Sequence, residues 1–563
     1  MPNLLATFRG RLTAFFFLYV TEGIPLGFGT VAVATQLRRQ GVGPAEIGAF
    51  VGLFYLPWAF KWLAGPFIDT LTWERVGRRR FWILLTQFGM IATLLACLGL
   101  DMPRQLGLFT AILFIHNSFG AAQDVAIDAL AVGVLQEHER GVANGVMFAG
   151  AAMGQALGGA GGLYIMSWAG FNAGLLLVAG CISAVTLFIA WPLREGVTAA
   201  LSSTGAGIAA ALGRIRSFSV ETFRSFVSTR GAFAGLAVAL LPAGAMSLGL
   251  ALQQNLAVEI GMDDNAIASL AVWSQVIAAA GMVVGGLLSD RLGRRRTLFI
   301  YLAMMSPPVL YLMTVLGDHD WIMPVAQSDL VKRTAAPALV TALWIATCWY
   351  SVAQGLMYGT RSAIFMDVTN PLVAASQFTA YMALCNLAIA YSATWQGIAI
   401  EAFGYPRTLL IDAITGLLCL ALIPLLRRSD TPEGDGRGPV RARALAGLLG
   451  IGCLAWLPYR LHMVDFGAAN PIIEILFSVV FCASFAFLGA GAAVLGVTRN
   501  RWALAGLVLA PLILAVELRK WFPSADWFYL PLPALAAVVL LAQALQPWRS
   551  LGLASPSSEP VAA

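Results

Sequence analysis

Apolar residues fall along this chain in blocks of about twenty, separated by short stretches rich in Gly, Pro, Asp and Arg; a helix of that length crosses a bilayer core. Twelve such blocks lie in the first 427 residues, near 11–35, 45–68, 80–100, 105–133, 139–166, 171–193, 231–258, 263–289, 297–317, 336–366, 372–400 and 405–427. A polar, arginine-dotted stretch, 194–230, divides them six and six, and its pattern from Ala206 to Val227 predicts an amphipathic helix lying on the membrane surface. A soluble stretch, 429–443, precedes further apolar runs near 444–460, 470–496, 500–518 and 527–546, which predict two to four additional spans. The expected organisation is a six-helix bundle over 1–193, a linker over 194–230 and a second six-helix bundle over 231–428. A second linker (429–443), additional transmembrane helices (444–548) and a disordered tail (549–563) complete it. The class is an all-α polytopic membrane protein.

Composition agrees with the pattern. Hydrophobic residues make up 59% of the 563 and charged residues 11%, roughly half the charge of a soluble domain. Mean hydropathy is +0.78. The net charge of +6 is carried almost wholly by arginine, since only Lys61, Lys332 and Lys520 are lysines. In such a chain a basic balance reports topology rather than nucleic-acid binding. Arg75, Arg78–Arg80, Arg140, Arg214, Arg216, Arg291, Arg294–Arg296, Arg427 and Arg428 fall on one set of loops. Asp101, Glu259, Asp263, Asp264, Asp318, Asp320 and Glu401 fall on the alternate set. The positive-inside rule therefore predicts a cytoplasmic N-terminus, with Arg38, Arg39, Lys332 and Arg333 running against the pattern. Phe15–Phe17 belong to a full-length span and not to a cleavable signal. Seven scattered cysteines and four histidines out of ligand spacing predict no metal and no cofactor. Without a nucleophile–base pair an enzyme is not expected.

Charges inside the apolar blocks are the candidate chemistry, because a carboxylate at the bilayer centre costs on the order of 3 kcal/mol and has to face protein or water. Asp124 and Asp128 are one turn apart in the fourth block, about 6 Å along one helix face. Lys61 lies in the second block at comparable depth, so a Lys–Asp pair is plausible; snorkelling of Lys61 to lipid phosphates is the alternative. Asp128 also reads as the polar end of its helix. Glu22 is near the midplane of the first block, where Gly23, Pro25 and Gly27 are expected to open the helix beside it, a setting that suits a proton carrier. A Glu locked to the backbone or to an arginine is the competing reading.

In the second half Gln253, Gln254, Asn255, Gln354, Tyr358, Arg361, Tyr381, Asn386, Tyr391, Trp395 and Gln396 stand in the spans. Amides and aromatics with little charge suit a bulky polar solute, with Arg361 the candidate for an anionic group of that solute. Gln123 in the first half is assigned to the same cavity.

An internal repeat supports the six-plus-six division. GPFIDTLTWERVGRRR closes the second block and GGLLSDRLGRRR the eighth; aligned on Asp69 and Asp290, each has Gly four residues earlier (Gly65, Gly286) and a Gly-Arg-Arg-Arg run after. This resembles the signature loop of the major facilitator superfamily, which implies two six-helix bundles of inverted repeats rocking about a central cavity. FKWLAGPFID, GRRRFWILLTQ, AAQDVAIDALAVGVL, ERGVANG and ASQFTAYMALCNLA resemble the peptide–acetyl-CoA transporter branch, and within it the AmpG-type muropeptide permeases. The resemblance implies proton-coupled import of an anhydromuropeptide across the inner membrane by a monomer, energised by the proton gradient. Lys61, Gln123, Asp124 and Asp128 match the branch motif, whereas Glu22 departs from the AmpG pattern. Gly65, Asp69, Arg78, Arg140, Gly286, Asp290 and Arg294 are the expected cytoplasmic gate. A siderophore or CoA-type solute on the same fold, and a membrane sensor or scaffold built on the extra spans, are the rival readings.

Overall fold

The computed structural model describes residues 3–70, 73, 76–136, 139–195, 208–326, 329, 336–370, 374–427, 435–498, 500–520, 524 and 526–548. Among the described residues helices occupy all twelve expected positions, and four further helices of more than ten residues follow. Among the described residues ten helices are long and apolar enough to cross a membrane. The first six positions are α1 (Phe8–Arg39), α2 (Pro44–Ala59, continued by Lys61–Leu63 and Ala64–Thr70), α3 (Arg78–Ala96), α4 (Leu106–Val134), α5 (Arg140–Ala156, continuing to Ala169) and α6 (Phe171–Ala190). The linker helix is α7 (Ile208–Ser228). The next six positions are α8 (Arg230–Leu240 and Ala251–Glu259), α9 (Asp264–Leu292), α10 (Arg294–Asp318), α11 (Pro337–Val368), α12 (Ala374–Phe403) and α13 (Tyr405–Leu425). The extra helices are α14 (Gly438–Arg460), α15 (Asn470–Leu495), α16 (Arg501–Ala515) and α17 (Pro531–Ala544). Thus α14 begins inside the stretch expected to be a soluble linker.

The chain divides into two compact units. One comprises Met1–Leu212, Leu240–Ala363 and Met382–Ala421, the other Gly213–Ala239, Ile364–Tyr381 and Leu422–Ala563.

In the first unit, three local features position the site. First, α1 stays helical through Glu22 and Pro25 as far as Gly27, then continues as a π-helical turn over Phe28–Val33. The expected opening at Gly23, Pro25 and Gly27 is absent because those glycines serve close packing instead. A Cβ on Gly158 of α5 would lie 1.9 Å from the Ile24 carbonyl oxygen, and one on Gly23 would lie 2.0 Å from that of Ala151. The two backbones touch, as small residues allow between membrane helices. Second, Pro57 interrupts α2, since it has no N–H to give. The chain tightens there into 3₁₀ turns, Phe60 donating to the Pro57 carbonyl at 3.0 Å, and Lys61 emerges at this kink. Third, the two repeat loops turn alike. Gly77 and Gly293, with φ of +110° and +93°, immediately precede α3 and α10. A side chain is strained at such angles, so the shared Gly of the Gly-Arg-Arg-Arg runs is a backbone requirement.

In the second unit α7 departs from the expectation of a helix on the membrane surface. Its apolar face is buried against the extra helices: the Phe223 ring lies 5.3 Å from Phe487 and 5.7 Å from Trp548, and Val227 is fully buried. Arg441 donates to the Val227 carbonyl at 2.9 Å and pairs with Asp435, whose N–H donates to the Ser228 carbonyl at 3.2 Å. An amphipathic face takes whichever apolar surface is at hand, and here that surface is protein. The hydrogen bonds from Arg441 hold the Asp435 carboxyl below the usual carboxylate range.

Phe223→Ala is expected to remove packing worth about 3 kcal/mol and to free α7, which limited trypsin digestion reads as faster cleavage within 208–228. Acid acts in the same direction. A carboxyl depressed on folding contributes stability above its unfolded pKa of about 4 and loses it as pH falls through the lower folded value.

Candidate functional site

The first half of the chain brings its four predicted charges together. Lys61 Nζ donates to Asp124 Oδ2 at 2.6 Å, with only 15% and 8% of the two side chains exposed. Lys61 is therefore paired within the protein and does not run out to lipid phosphates. Glu22, 8% exposed on α1, lies in the field of Asp124, Asp128 and Lys61, and its Oε1 has no hydrogen-bond partner. Asp128 is more open and accepts a 2.6 Å hydrogen bond from the Tyr19 hydroxyl. Gln123, beside Asp124, donates to Thr21 Oγ1 at 2.7 Å. Three carboxyls thus face one ammonium, Glu22 and Asp124 buried and Asp128 exposed, and among the described residues only Asp124 is directly ion-paired. Among the described residues no cluster of His, Cys, Asp or Glu is arranged to hold a metal.

In the second half the unwound stretch of α8 between Leu240 and Ala251 is held by side chains. Asp412 of α13 accepts from the N–H groups of Met246 and Ser247, both at 2.9 Å, and from Gln396 at 2.8 Å. Tyr391 donates to the Leu240 carbonyl at 2.6 Å. Freed backbone groups at membrane depth need such partners. Just beyond, Gln253, Gln254 and Asn255 are buried, and neither polar side-chain atom of Asn255 has a partner. Arg361 is buried with its guanidinium 4.7 Å from the centre of the Tyr358 ring. Asn386 is half-buried and Trp395 buried. Tyr381 differs from these. Its ring stacks on Phe365 at 4.8 Å and its hydroxyl donates to the Ala232 carbonyl at 2.9 Å, so it fastens helices together and leaves no face for a solute.

A model of the Major Facilitator Superfamily matches residues 12–247. The crystal structure of a D-xylose-proton symporter superposes with a TM-score of 0.54 at 12% identity, over 75% of this chain and 99% of the symporter. The chain has the major-facilitator fold. It is similar to an uncharacterized protein of Haemophilus influenzae, 25% identical over 445 residues, covering 76% of this chain and 99% of that one. It is also similar to the anhydromuropeptide permease of Escherichia coli K12, 23% identical over 407 residues, covering 71% of this chain and 77% of the permease. The resemblance read from the α2–α3 and α4–α5 motifs is thus seen across most of the chain. The protein is a multi-pass membrane transporter of small solutes, with extra helices appended to the major-facilitator fold.

Direct contacts between the two halves of the fold gather at the end where α1 meets α8. Arg38 at the end of α1 is 2% exposed and pairs with Glu259 of α8 at 2.7 Å. The same guanidinium donates to the carbonyls of Val42 and Val325, while Glu259 accepts from the Tyr405 hydroxyl at 2.6 Å and from the Val325 N–H at 3.0 Å. Arg39 pairs with Asp264 at 2.6 Å, and Glu401 accepts from the Ala45 N–H at 2.9 Å. Each of these ties the first half of the fold to the second. At the expected gate, Asp290 is exposed and pairs with Arg294 of its own loop at 3.0 Å. A Cβ on Gly65 would meet Val125 at 3.9 Å, and one on Gly286 would meet nothing. Arg78 is exposed, and the side chains of Asp69 and Arg140 lie outside the described residues.

Sequence reasoning missed Arg38, Glu259, Tyr405 and Asp412. The available signal was the pair of arginines that ran against the loop-charge pattern: Arg38 and Arg39 sit on the acidic side because each has its own carboxylate there. Glu259→Ala leaves Arg38 buried and unpaired, and is expected to cost about 3–5 kcal/mol. Thermal unfolding in detergent measures this, and Arg38→Met combined with Glu259→Leu is expected to recover most of the loss.

Proposed function

We propose that this protein imports anhydromuropeptides, N-acetylglucosaminyl-1,6-anhydro-N-acetylmuramyl peptides, by proton-coupled alternating access. The observation that carries the reading is the cluster of Lys61, Asp124, Glu22 and Asp128. With Glu22 and Asp124 both ionised beside Lys61, the buried part of the cluster holds one uncompensated negative charge, and the exposed Asp128 adds another at its edge, so a proton on Glu22 changes the local energy by several kcal/mol. That is enough to bias a two-state rocking equilibrium, for which about 5.5 kcal/mol moves the ratio from 1:99 to 99:1. Glu22, without a hydrogen-bond partner on one oxygen, is the first acceptor. Asp124 feels the proton through Lys61, and α2 and α4 transmit it along the helices that carry the pair.

The solute is supported by the similarity to the Escherichia coli permease and by the buried amides and aromatics of the second half, which suit sugars and peptide bonds. The cycle pairs two gates. The Arg38–Glu259 and Arg39–Asp264 contacts hold one end shut, and the Gly-Arg-Arg-Arg loops close the other when those contacts break. With the Arg-rich loops in the cytoplasm, a state held shut by the Arg38 and Arg39 contacts is the inward-facing one of this cycle.

Asp124→Asn is expected to abolish accumulation of labelled anhydromuropeptide in proteoliposomes under a pH gradient, by at least about tenfold, while leaving the protein folded. Full accumulation by that variant removes the coupling role; no uptake by the wild type removes the proposed solute.

A further inference from the structure

Arg361 is a buried cation to which the described residues supply no anion. Its side chain is 6% exposed, and its Nε has no hydrogen-bond partner. The groups that act on it most strongly are the Tyr358 phenol and the thiols of Cys385 and Cys419, none of them a carboxylate. The other arginines buried to this degree among the described residues, Arg38 and Arg519, each meet a glutamate, Glu259 and Glu474. Among the described residues, therefore, two of the three buried arginines have a counter-ion and Arg361 has none.

The surroundings are polar and aromatic. Tyr350, Gln354, Tyr358 and Arg361 recur at helical spacing along one side of α11. That side abuts the break in α8, where a Cβ on Gly249 would lie 2.8 Å from Gln354 Nε2 and 3.1 Å from the Tyr350 hydroxyl. Tyr358 also lies in electrostatic range of Tyr55 on α2, so this face looks across to the first half of the fold. Tyr358 presents its ring to the guanidinium at 4.7 Å, which orients the planar fork without neutralising it.

We propose that Arg361 binds a carboxylate of the transported solute, so that the solute itself is the missing counter-ion. The inference rests on the carrier reading above and narrows it: the solute bears a free carboxylate, and a neutral sugar of similar size is a poor ligand. The guanidinium takes the carboxylate through paired N–H donors, while the half-buried Gln354, which donates to the Tyr350 hydroxyl at 3.3 Å, offers its amide oxygen to a neutral donor further along the same face. The charge that makes the empty site costly makes the loaded one favourable.

Two measurements on the full-length protein decide it. In the empty, detergent-solubilised protein, Arg361→Met removes an uncompensated buried charge at nearly constant volume and raises the melting temperature. A lowered melting temperature means that the guanidinium already has a structural counterpart, and overturns the proposal. Binding is then compared for labelled N-acetylglucosaminyl-anhydro-N-acetylmuramyl tripeptide and for the same compound with its carboxyls amidated. Wild type is expected to prefer the acid by about 30-fold, Arg361→Lys to keep part of that preference, and Arg361→Met to bring the ratio close to one. Equal binding of acid and amide by the wild type overturns the anion site and leaves the carrier reading standing. Binding of neither sets aside this solute, and the melting temperature alone then decides the anion site.

Discussion

A charge held inside a membrane protein needs its opposite close at hand, and most of what is distinctive in this fold follows from how that demand is met. Lys61 finds Asp124, and Arg38 finds Glu259. The first pair lies within one half of the fold, the second between halves. That difference sets their roles. An ion pair within a half senses charge, while one between halves has to break whenever the halves part. Breaking a buried pair costs several kcal/mol, so in the proposed cycle the Arg38 contact is the barrier that binding and protonation overcome.

Local rigidity makes the charge cluster useful. Glu22 sits on α1, whose backbone lies directly against α5 through glycines on both helices. Lys61 emerges where Pro57 interrupts α2, which takes it out of the regular helical register. One partner is fixed by close packing and the other lies at a kink, so the proposed cycle assigns the response to a change of charge to α2 rather than to α1. The appended helices follow the same rule of satisfying a face with whatever is near. They bury the apolar side of α7, a helix whose sequence alone was equally suited to a lipid surface.

Much of this was legible in the sequence. Blocks of twenty apolar residues mark the helices, the paired Gly-Arg-Arg-Arg loops mark two turns of like geometry, and the rarity of charge within spans singles out Lys61, Asp124, Asp128 and Glu22. These signals are local or periodic. The Arg38–Glu259 contact is neither: its partners are 221 residues apart and both lie at span ends, where charge is ordinary. Asp412 was illegible because its role depends on where α8 unwinds, and Gly23 was misjudged because a glycine that opens a helix and one that admits a neighbour look alike in one dimension. Tyr381 illustrates the same limit, since an aromatic in a span reads as a ligand contact until its hydroxyl is seen to fasten Ala232.

The central claim is that protonation of the Lys61–Asp124 cluster controls the distant Arg38–Glu259 contact. Spin labels at Glu46 and Asn265, exposed positions on the two halves beside that contact, report on it directly through double electron–electron resonance. The account predicts a distance distribution that exchanges between a short and a long population as pH passes from about 8 to about 5.5, and that stays fixed in Asp124→Asn. A distribution that responds to pH identically in the wild type and in Asp124→Asn would contradict it.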